Sequence, residues 1–260
     1  MMVLLDLSAV AAEPLGALPN LDPVLRPLVE ETWRGRMHNE HVSARIFAAL
    51  IPQLMRAGID VDRQAAVAEM IADELRHARR CAAVLKGLGG NAVVALAELP
   101  EVPAHPRAEP LLALLLNVLD ICCLSETVAV SLIEGERRAL GGGPIAQVLK
   151  EILADEVRHA RFGWKLLEDT PLDAPIRERL SDYLPIAFAA LEEHELASLS
   201  PVRPPEDALA CGACDGRAAR EIFFDTVEEI IVPRLEQHGL AARRAWERRA
   251  DHRRQPVSDA

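Results

Sequence analysis

The sequence predicts an all-α protein. Half of the chain is hydrophobic, and Ala and Leu supply much of that half, whereas aromatic residues make up only 3%. Ala and Leu favour helices. Apolar residues recur at three- and four-residue steps over several long stretches, which is the period of an amphipathic helix. No stretch shows strand-like alternation of useful length. At 260 residues, the chain suffices for one large domain or two small ones.

Helical segments are predicted where this period persists between glycine, proline and capping aspartate residues. In chain order they cover about 27–56, 61–87, 108–140, 144–169, 173–200, 217–238 and 240–249. Asp60 or Asp62 would cap the second helix and Asp215 the sixth. Pro185 predicts a kink or break in the fifth helix, and Pro233 predicts a kink in the sixth.

The remaining segments are predicted to be irregular. Residues 1–26 form an extended lead or one short helix, and 251–260 form a polar tail. The proline-containing stretch 91–107 is a connector of the length that a bundle needs to cross from one end to the other.

Charge and cysteine content narrow the function classes. A net charge of −11 argues against a general nucleic-acid binder, although a local basic patch remains compatible with an RNA substrate. The N-terminus lacks a basic region and carries Asp6 in its apolar run, so no secretory signal is expected. The apolar run 111–124 is too short and too polar to span a bilayer. Five cysteines without framework spacing indicate reduced thiols and a cytoplasmic protein.

One heptapeptide occurs twice. Residues 73–79 read Asp-Glu-Leu-Arg-His-Ala-Arg, and residues 155–161 read Asp-Glu-Val-Arg-His-Ala-Arg. Each copy has a glutamate three residues before a histidine. These pairs are Glu74 with His77 and Glu156 with His159. Residues three apart lie on one helix face, so two such helices facing each other would supply half of a two-metal site.

Two lone glutamates are spaced to complete that site. Glu40 lies 34 residues before Glu74, and Glu126 lies 30 residues before Glu156. A helix and a turn of that length bring an antiparallel partner back to about the same height. Glu126 also lies in the most apolar helix, where an unpaired carboxylate is costly to ionise and a metal would remove that cost.

The sequence therefore predicts a two-metal centre. Its ligands are Glu40, Glu74, His77, Glu126, Glu156 and His159. Four carboxylates and two imidazoles suit two iron ions, two manganese ions or a mixed pair; we favour iron. Glu74 and Glu156 are assigned as bridges, and Glu40 and Glu126 as terminal ligands.

The order of one Glu, Asp-Glu-x-Arg-His, a second Glu and a second Asp-Glu-x-Arg-His resembles the ferritin-like superfamily of di-iron carboxylate proteins. The resemblance covers about 27–169 and implies a ferritin-like four-helix bundle there, with additional C-terminal helices at 170–250 packing on it. In that superfamily the aspartate before the motif often holds a metal-binding histidine. Asp73 and Asp155 match this position, and a ligating imidazole needs an acceptor for its other N–H.

The chain departs from each familiar subfamily. Rubrerythrins carry two Cys-x-x-Cys pairs in a rubredoxin module, but this chain has one pair, Cys211 and Cys214. Cys81 stands where reductase small subunits place a radical tyrosine, and Ile152 where arylamine N-oxygenases place an additional histidine. Simple ferritins use a single Glu-x-x-His. The rubrerythrin and oxygenase branch is the nearest in pattern.

Other residues near the motifs have two interpretations. Cys81 follows His77 by four residues and Cys122 precedes Glu126 by four, so both should point along site-bearing faces. Each is either a small buried hydrophobe or a thiol that supplies electrons or narrows a pocket. Arg76 and Arg158 are interpreted as surface or supporting ion-pair groups. A catalytic role for these two arginines is disfavoured.

Three functions fit these observations. The first is an O2-activating di-iron oxidoreductase that hydroxylates, desaturates or N-oxygenates a small organic substrate, with electrons from a separate donor. The second is a ferritin-like iron-binding protein with a ferroxidase or peroxide-protective role. The third is a tRNA-base hydroxylase. An apolar cavity reaching the metals would favour the first, an acidic iron path the second, and a basic surface at the cavity mouth the third. A homodimer is compatible with all three.

Overall fold

A computed structural model describes residues 3–11, 15–96 and 101–252. Within these ranges the chain is predominantly helical, which confirms the all-α class. The α-helices are α1 Arg26–Arg56, α2 Val61–Gly87, α3 Pro110–Val118, α4 Glu126–Leu140, α5 Gly143–Asp169, α6 Ala174–Leu196, α7 Glu206–Ala210, α8 Gly216–Thr226, α9 Val232–Gln237 and α10 Ala242–Arg248. Parts of the predicted lead and connector, and all but the first two residues of the predicted tail, lie outside the described residues.

The sequence predicts no strands, and this prediction is wrong in one place. Strand β1, Val3–Asp6, pairs antiparallel with strand β2, Val93–Leu96, and Val3 lies opposite Leu96. Each strand has four residues, which is too short for an alternation to be recognised, and the two are far apart in the sequence. Tertiary context decides strand formation in such short apolar segments.

Two π-helical segments interrupt predicted helices without ending them. Leu119–Ser125 joins α3 to α4, and Val227–Ile231 joins α8 to α9. Helix α9 begins directly after the second π segment, and Pro233 is its second residue, a first-turn position where the missing N–H is tolerated. Helix α6 continues through Pro185, so of the two predicted alternatives the break is wrong and the kink stays a prediction.

The four longest helical units pack as two hairpins. Helix α1 packs along α2, and α4 packs along α5; contacts between α2 and α5 and between α1 and α3 join the hairpins. Connections of a few residues make each hairpin antiparallel. Asp60 caps α2, because its Oδ1 accepts the backbone N–H of Arg63 at 2.9 Å. This arrangement turns the glutamate and the histidine of each heptapeptide towards the interior.

The C-terminal helices pack on the second hairpin. Helix α6 contacts α3 and the first π segment, α8 contacts α4, and α10 contacts α6. Large side chains from these elements share one apolar cluster with α5, including Trp164, Phe188, Phe223 and Trp246. Asp215 caps α8 as the sequence predicts, through hydrogen bonds to the N–H groups of Arg217 and Ala218.

One helical stretch, Pro110–Leu140, is long and apolar enough to cross a membrane by length and composition. Its most apolar 18-residue window has a mean hydropathy of 1.9. The run 111–124 is too short to span a bilayer, but this objection does not apply to the whole stretch. Inside the protein 67% of that window is buried. The core helix of a soluble bundle has the same properties, and the stretch is therefore weak evidence for a membrane span.

The close approach of α5 to the first π segment depends on a glycine. A Cβ at Gly163 would lie 2.4 Å from the Cβ of Cys122 and 3.0 Å from its carbonyl carbon.

We expect Gly163→Ala to lower the free energy of unfolding by about 1–3 kcal/mol through overpacking. Gly35 is the matched control, because a Cβ there meets nothing within 4 Å. Gly35→Ala should raise the same quantity by about 0.5–1 kcal/mol. Urea denaturation of metal-free protein measures both, and equal stabilities would contradict the packing argument.

Candidate metal centre

The six predicted ligands converge in the interior of the two hairpins. Potential ligand atoms form two groups of four, and within each group all lie within 4.8 Å of one another. One group is Glu40, Glu74, His77 and Glu156; the other is Glu74, Glu126, Glu156 and His159. Glu74 and Glu156 belong to both groups, which is the position that carboxylates bridging two metals must occupy. Their role as bridges, and that of the other two glutamates as terminal ligands, stays a prediction.

The first π segment helps to position one ligand. It ends at Ser125, directly before Glu126 at the start of α4. A π-bulge inserts an extra residue into a helix and rotates the side chains that follow, and such bulges are frequent at functional sites. The direction of Glu126 therefore depends on this irregularity as well as on helical spacing.

The centre is almost closed to solvent. His159 is 0% exposed and Glu74 is 1% exposed, while the Glu40 side chain is 12% exposed. Oε1 of Glu74 is buried without a hydrogen-bond partner, although Nδ1 of His159 lies 3.0 Å away. Buried charged oxygens are normally paired or coordinate a metal. Two divalent cations would balance four ionised carboxylates, so this donor set fits a metal pair.

The pKa values reflect crowded carboxylates and imidazoles. Burial, followed by the charge of Glu156, raises the pKa of both Glu74 and Glu126. Burial also opposes ionisation of Glu156, but hydrogen bonds from His159 and His77 outweigh it and lower the pKa of Glu156. Burial disfavours the charged form of His77, yet its hydrogen bonds to two carboxylates raise its pKa to about 12. Protons therefore occupy this centre in the metal-free protein.

The aspartates before each motif contact histidines, as predicted, but in a crossed pattern. Oδ2 of Asp155 lies 3.0 Å from Nε2 of His77, and Oδ2 of Asp73 lies 3.2 Å from Nε2 of His159. Each aspartate thus holds the histidine of the other heptapeptide. Nδ1 of each histidine is left facing glutamates, with Nδ1 of His77 3.2 Å from Oε2 of Glu40. Nδ1 is consequently the candidate ligand atom.

Two arginines tie this pattern together. Nη2 of Arg76 lies 2.7 Å from Asp73 and 2.6 Å from Asp155, so one guanidinium spans both helices. Arg158 contacts the same two aspartates from the other side. Burial opposes ionisation of Asp155, but hydrogen bonds from His77 and both arginines lower its pKa to about 2. The interpretation of these arginines as supporting ion-pair groups agrees with their contacts.

The cysteines near the centre are buried thiols. Burial, reinforced by the Glu40 carboxylate, raises the pKa of Cys81, and burial with Cys123 raises that of Cys122. Raised pKa values keep both groups protonated, which matches small buried hydrophobes better than reactive thiolates. A redox role for either stays a prediction. Cys211 is also buried, and its carbonyl oxygen accepts the indole N–H of Trp33 at 2.9 Å.

A cavity of about 280 Å³ lies between α4, α7 and α8, on the side of the C-terminal helices. Much of its lining is apolar, with Leu132 and Ile222 on opposite sides. None of the six predicted ligands is among its lining residues. Glu136 in its wall forms an ion pair with Arg36, which lies one helical turn before Glu40. This cavity therefore does not include the cluster of predicted ligands.

Sequence reasoning missed one wall of the centre. The ring of Phe47 meets the ring of His159 edge to face, with 5.3 Å between centroids. Phe47 is fully buried on α1. It follows Glu40 by seven residues, which places both on one helix face, so this spacing was the available signal. Phe47 thus contributes to the burial of the His159 imidazole.

Comparisons with known proteins add no relative: no protein-family model matches, and neither curated proteins nor solved structures show a significant match. Any assignment of function must therefore rest on the motifs and on the geometry of the buried cluster.

Loss of one supporting aspartate should weaken metal binding. Asparagine in Asp155→Asn keeps the shape but removes the charge that holds Nε2 of His77. We expect metal affinity to fall roughly 10–100-fold, the usual effect of removing such a partner. Asp169→Asn on the same helix is the control, because Asp169 pairs with Arg63 and Lys165 at the surface and is not among the predicted ligands or their aspartate partners. Anaerobic calorimetric titration with Fe(II) or Mn(II) measures both affinities, and equal losses would contradict the proposed role of Asp155.

Metal binding should release protons at neutral pH. Because the pKa of His77 is raised to about 12, its ring is protonated at pH 7 without metal. A ligating imidazole must be neutral, so binding displaces the proton and affinity rises with pH. Calorimetry at pH 7 in buffers of different ionisation enthalpy counts the protons. A binding enthalpy that is independent of the buffer would contradict this expectation.

Proposed function

We propose that this protein is a ferritin-like di-iron oxidoreductase that uses O2 to hydroxylate, desaturate or N-oxygenate a small organic molecule. One observation carries the proposal: two groups of potential ligand atoms share Glu74 and Glu156 inside one buried cluster. A single shared pair of carboxylates between two histidines supports a two-metal centre rather than two separate sites. The heptapeptide repeat supports the ferritin-like assignment.

The donor set suits redox-active metals. Glutamates and histidines bind iron and manganese well, and a pair of ferrous ions supplies the electrons for O2 chemistry that zinc lacks. The side chains of this chain would hold, orient and isolate that pair. Asp73 and Asp155 would fix the orientation of the imidazoles, and the buried ring of Phe47 packs against His159.

A metal-handling role is the second candidate, and one observation favours it. None of the six predicted ligands is among the lining residues of the cavity beside α8, so this cavity does not supply the apolar route to the centre that an organic substrate would need. A ferroxidase needs only iron and O2 there. The cavity gives no support to the tRNA-base hydroxylase, because Arg203 in its wall is paired with Glu206 and Asp215.

Iron stoichiometry and O2 use separate the two candidates. We expect anaerobically loaded protein to retain about two irons per chain. With excess Fe(II) and O2, an oxygenase should oxidise only its bound pair, whereas a ferroxidase should continue to oxidise iron. Colorimetric iron analysis and an oxygen electrode measure these quantities. One metal per chain, tightly held zinc, or no retained metal would contradict the two-metal proposal.

A matched pair of variants tests whether the shared carboxylates hold the metals. Glu156 belongs to both groups, so Glu156→Ala should abolish binding of both irons. Glu151→Ala on the same helix removes an ion pair with Arg80 and a hydrogen bond from Gln147, both away from the six predicted ligands, and should leave two irons bound. If Glu156→Ala retained the full iron content, the assignment of the cluster as the iron site would be wrong.

A further inference from the structure

The two heptapeptides present the same surface pattern. On α2 and α5, residues at equivalent positions of each copy are exposed, at spacings that place them on one face of each helix. These residues, which we call the seam surface, are Ala72, Leu75, Arg76, Arg79, Ala154, Val157, Arg158 and Arg161. Leu75 is 44% exposed and Val157 is 38% exposed, so apolar side chains lie beside arginines there. Mixed patches of this kind are typical of protein interaction sites.

The seam surface is positive on an acidic protein. The chain carries a net charge of −11, yet every charged side chain of the seam surface is an arginine. Arg76 and Arg158 are balanced by the aspartates beneath them. Arg79 and Arg161 form no ion pair with any described residue, although the Arg79 side chain donates to the carbonyl oxygen of Val10. A partner with a negative contact surface is therefore favoured.

This charge disfavours a second copy of the chain as the occupant. The repeat gives the seam surface an approximate two-fold character, which could suit an isologous dimer. Such a dimer would place arginines against arginines across the interface, and like charges in an interface are costly. An acidic partner meets no such penalty.

Short hydrogen-bonded paths connect the seam surface to the predicted ligands. Nη2 of Arg76 lies 2.6 Å from Asp155, whose Oδ2 lies 3.0 Å from Nε2 of His77. From Arg158 the corresponding distances are 3.1 Å to Asp73 and 3.2 Å from Asp73 to His159. Arg76 and Arg158 have half-exposed side chains. Two contacts thus separate bulk solvent from each imidazole.

The proposed function requires electrons at the metals that these imidazoles would hold. Insertion of one oxygen atom into a substrate RH follows RH + O2 + 2 e⁻ + 2 H⁺ → ROH + H2O, so two electrons must come from a reductant. A one-electron carrier must bind and leave twice in each turnover. Weak, electrostatically guided docking on a small surface suits such repeated encounters.

We propose that the seam surface is the docking site for a small acidic protein that carries one electron at a time. The carrier would be oxidised by one electron per encounter, and the metal centre behind His77 and His159 would be reduced. Leu75 and Val157 would form the apolar contact, while Arg79 and Arg161 would attract the acidic partner. This inference rests on the proposed function.

Charge reversal tests the docking site with a reduced plant-type [2Fe–2S] ferredoxin as the acidic probe. The test variant is Arg79→Glu with Arg161→Glu. The control is Arg107→Glu with Arg244→Glu, which changes the net charge equally at exposed positions elsewhere. Ferredoxin affinity is measured on iron-free protein, and the rate of metal reduction is measured on iron-loaded protein. Dithionite, which needs no docking, reports whether each variant retains an intact centre.

We expect the test variant to lose at least about tenfold in ferredoxin affinity and reduction rate at low ionic strength, together with most of their salt dependence. The control should stay near wild type, and dithionite should reduce all proteins at similar rates. Equal effects of the two variants, or no binding of ferredoxin by wild type, would overturn the docking proposal.

Two further outcomes are distinguishable. If neither wild type nor the variants hold iron that dithionite can reduce, the proposed function is wrong. The electron-transfer role is then wrong as well, even if ferredoxin binds. If light scattering shows a dimer that Leu75→Ser with Val157→Ser converts to a monomer, the seam surface belongs to a second copy and the docking proposal is overturned. Wild-type mass at the monomer value supports an open seam surface.

Discussion

The burial of four carboxylates around two imidazoles is the constraint on which the rest of this structure depends. Such a cluster is unfavourable in a protein interior unless protons or cations compensate it. Asp155 and Asp73 form hydrogen bonds to the Nε2 atoms of His77 and His159, respectively. Arg76 and Arg158 in turn balance the negative charge of these aspartates. These contacts also join α2 to α5. The same groups that prepare the centre for metal therefore hold the two hairpins in register.

Much of this centre follows from helical spacing. The residue spacing places Glu40 and Glu126 level with the repeated motifs, and the structure brings all six residues into one cluster. The helix starts at Asp60 and Asp215 also follow from local capping chemistry. Such features depend on near neighbours in the chain, which is why composition and period suffice to predict them.

Other features depend on contacts between distant segments. The pairing of β1 with β2 joins residues about 90 positions apart and leaves only four-residue signals in the sequence. The crossing of Asp73 to His159 and of Asp155 to His77 depends on how α2 faces α5, which spacing within one motif cannot specify. The close approach of the π segment before Glu126 to Gly163 joins two helices through a contact that local spacing does not specify. Tertiary packing decides all three.

One helix turn serves two surfaces. In each heptapeptide the glutamate and histidine point inward, whereas the apolar residue and the first arginine between them point to solvent. A 3.6-residue period separates these roles without any extra structure. The repeat thus links an interior that can hold metal with an exterior that can meet a partner, and Asp73 and Asp155 connect them.

The central claim is that one buried cluster holds two metals. Crystals of iron-loaded protein, measured with X-rays on both sides of the iron absorption edge, test it most directly. The account predicts two anomalous peaks per chain between the two heptapeptides, about 3.5–4 Å apart, the separation usual for paired metals. A single peak, or iron bound elsewhere with this cluster empty, would contradict it.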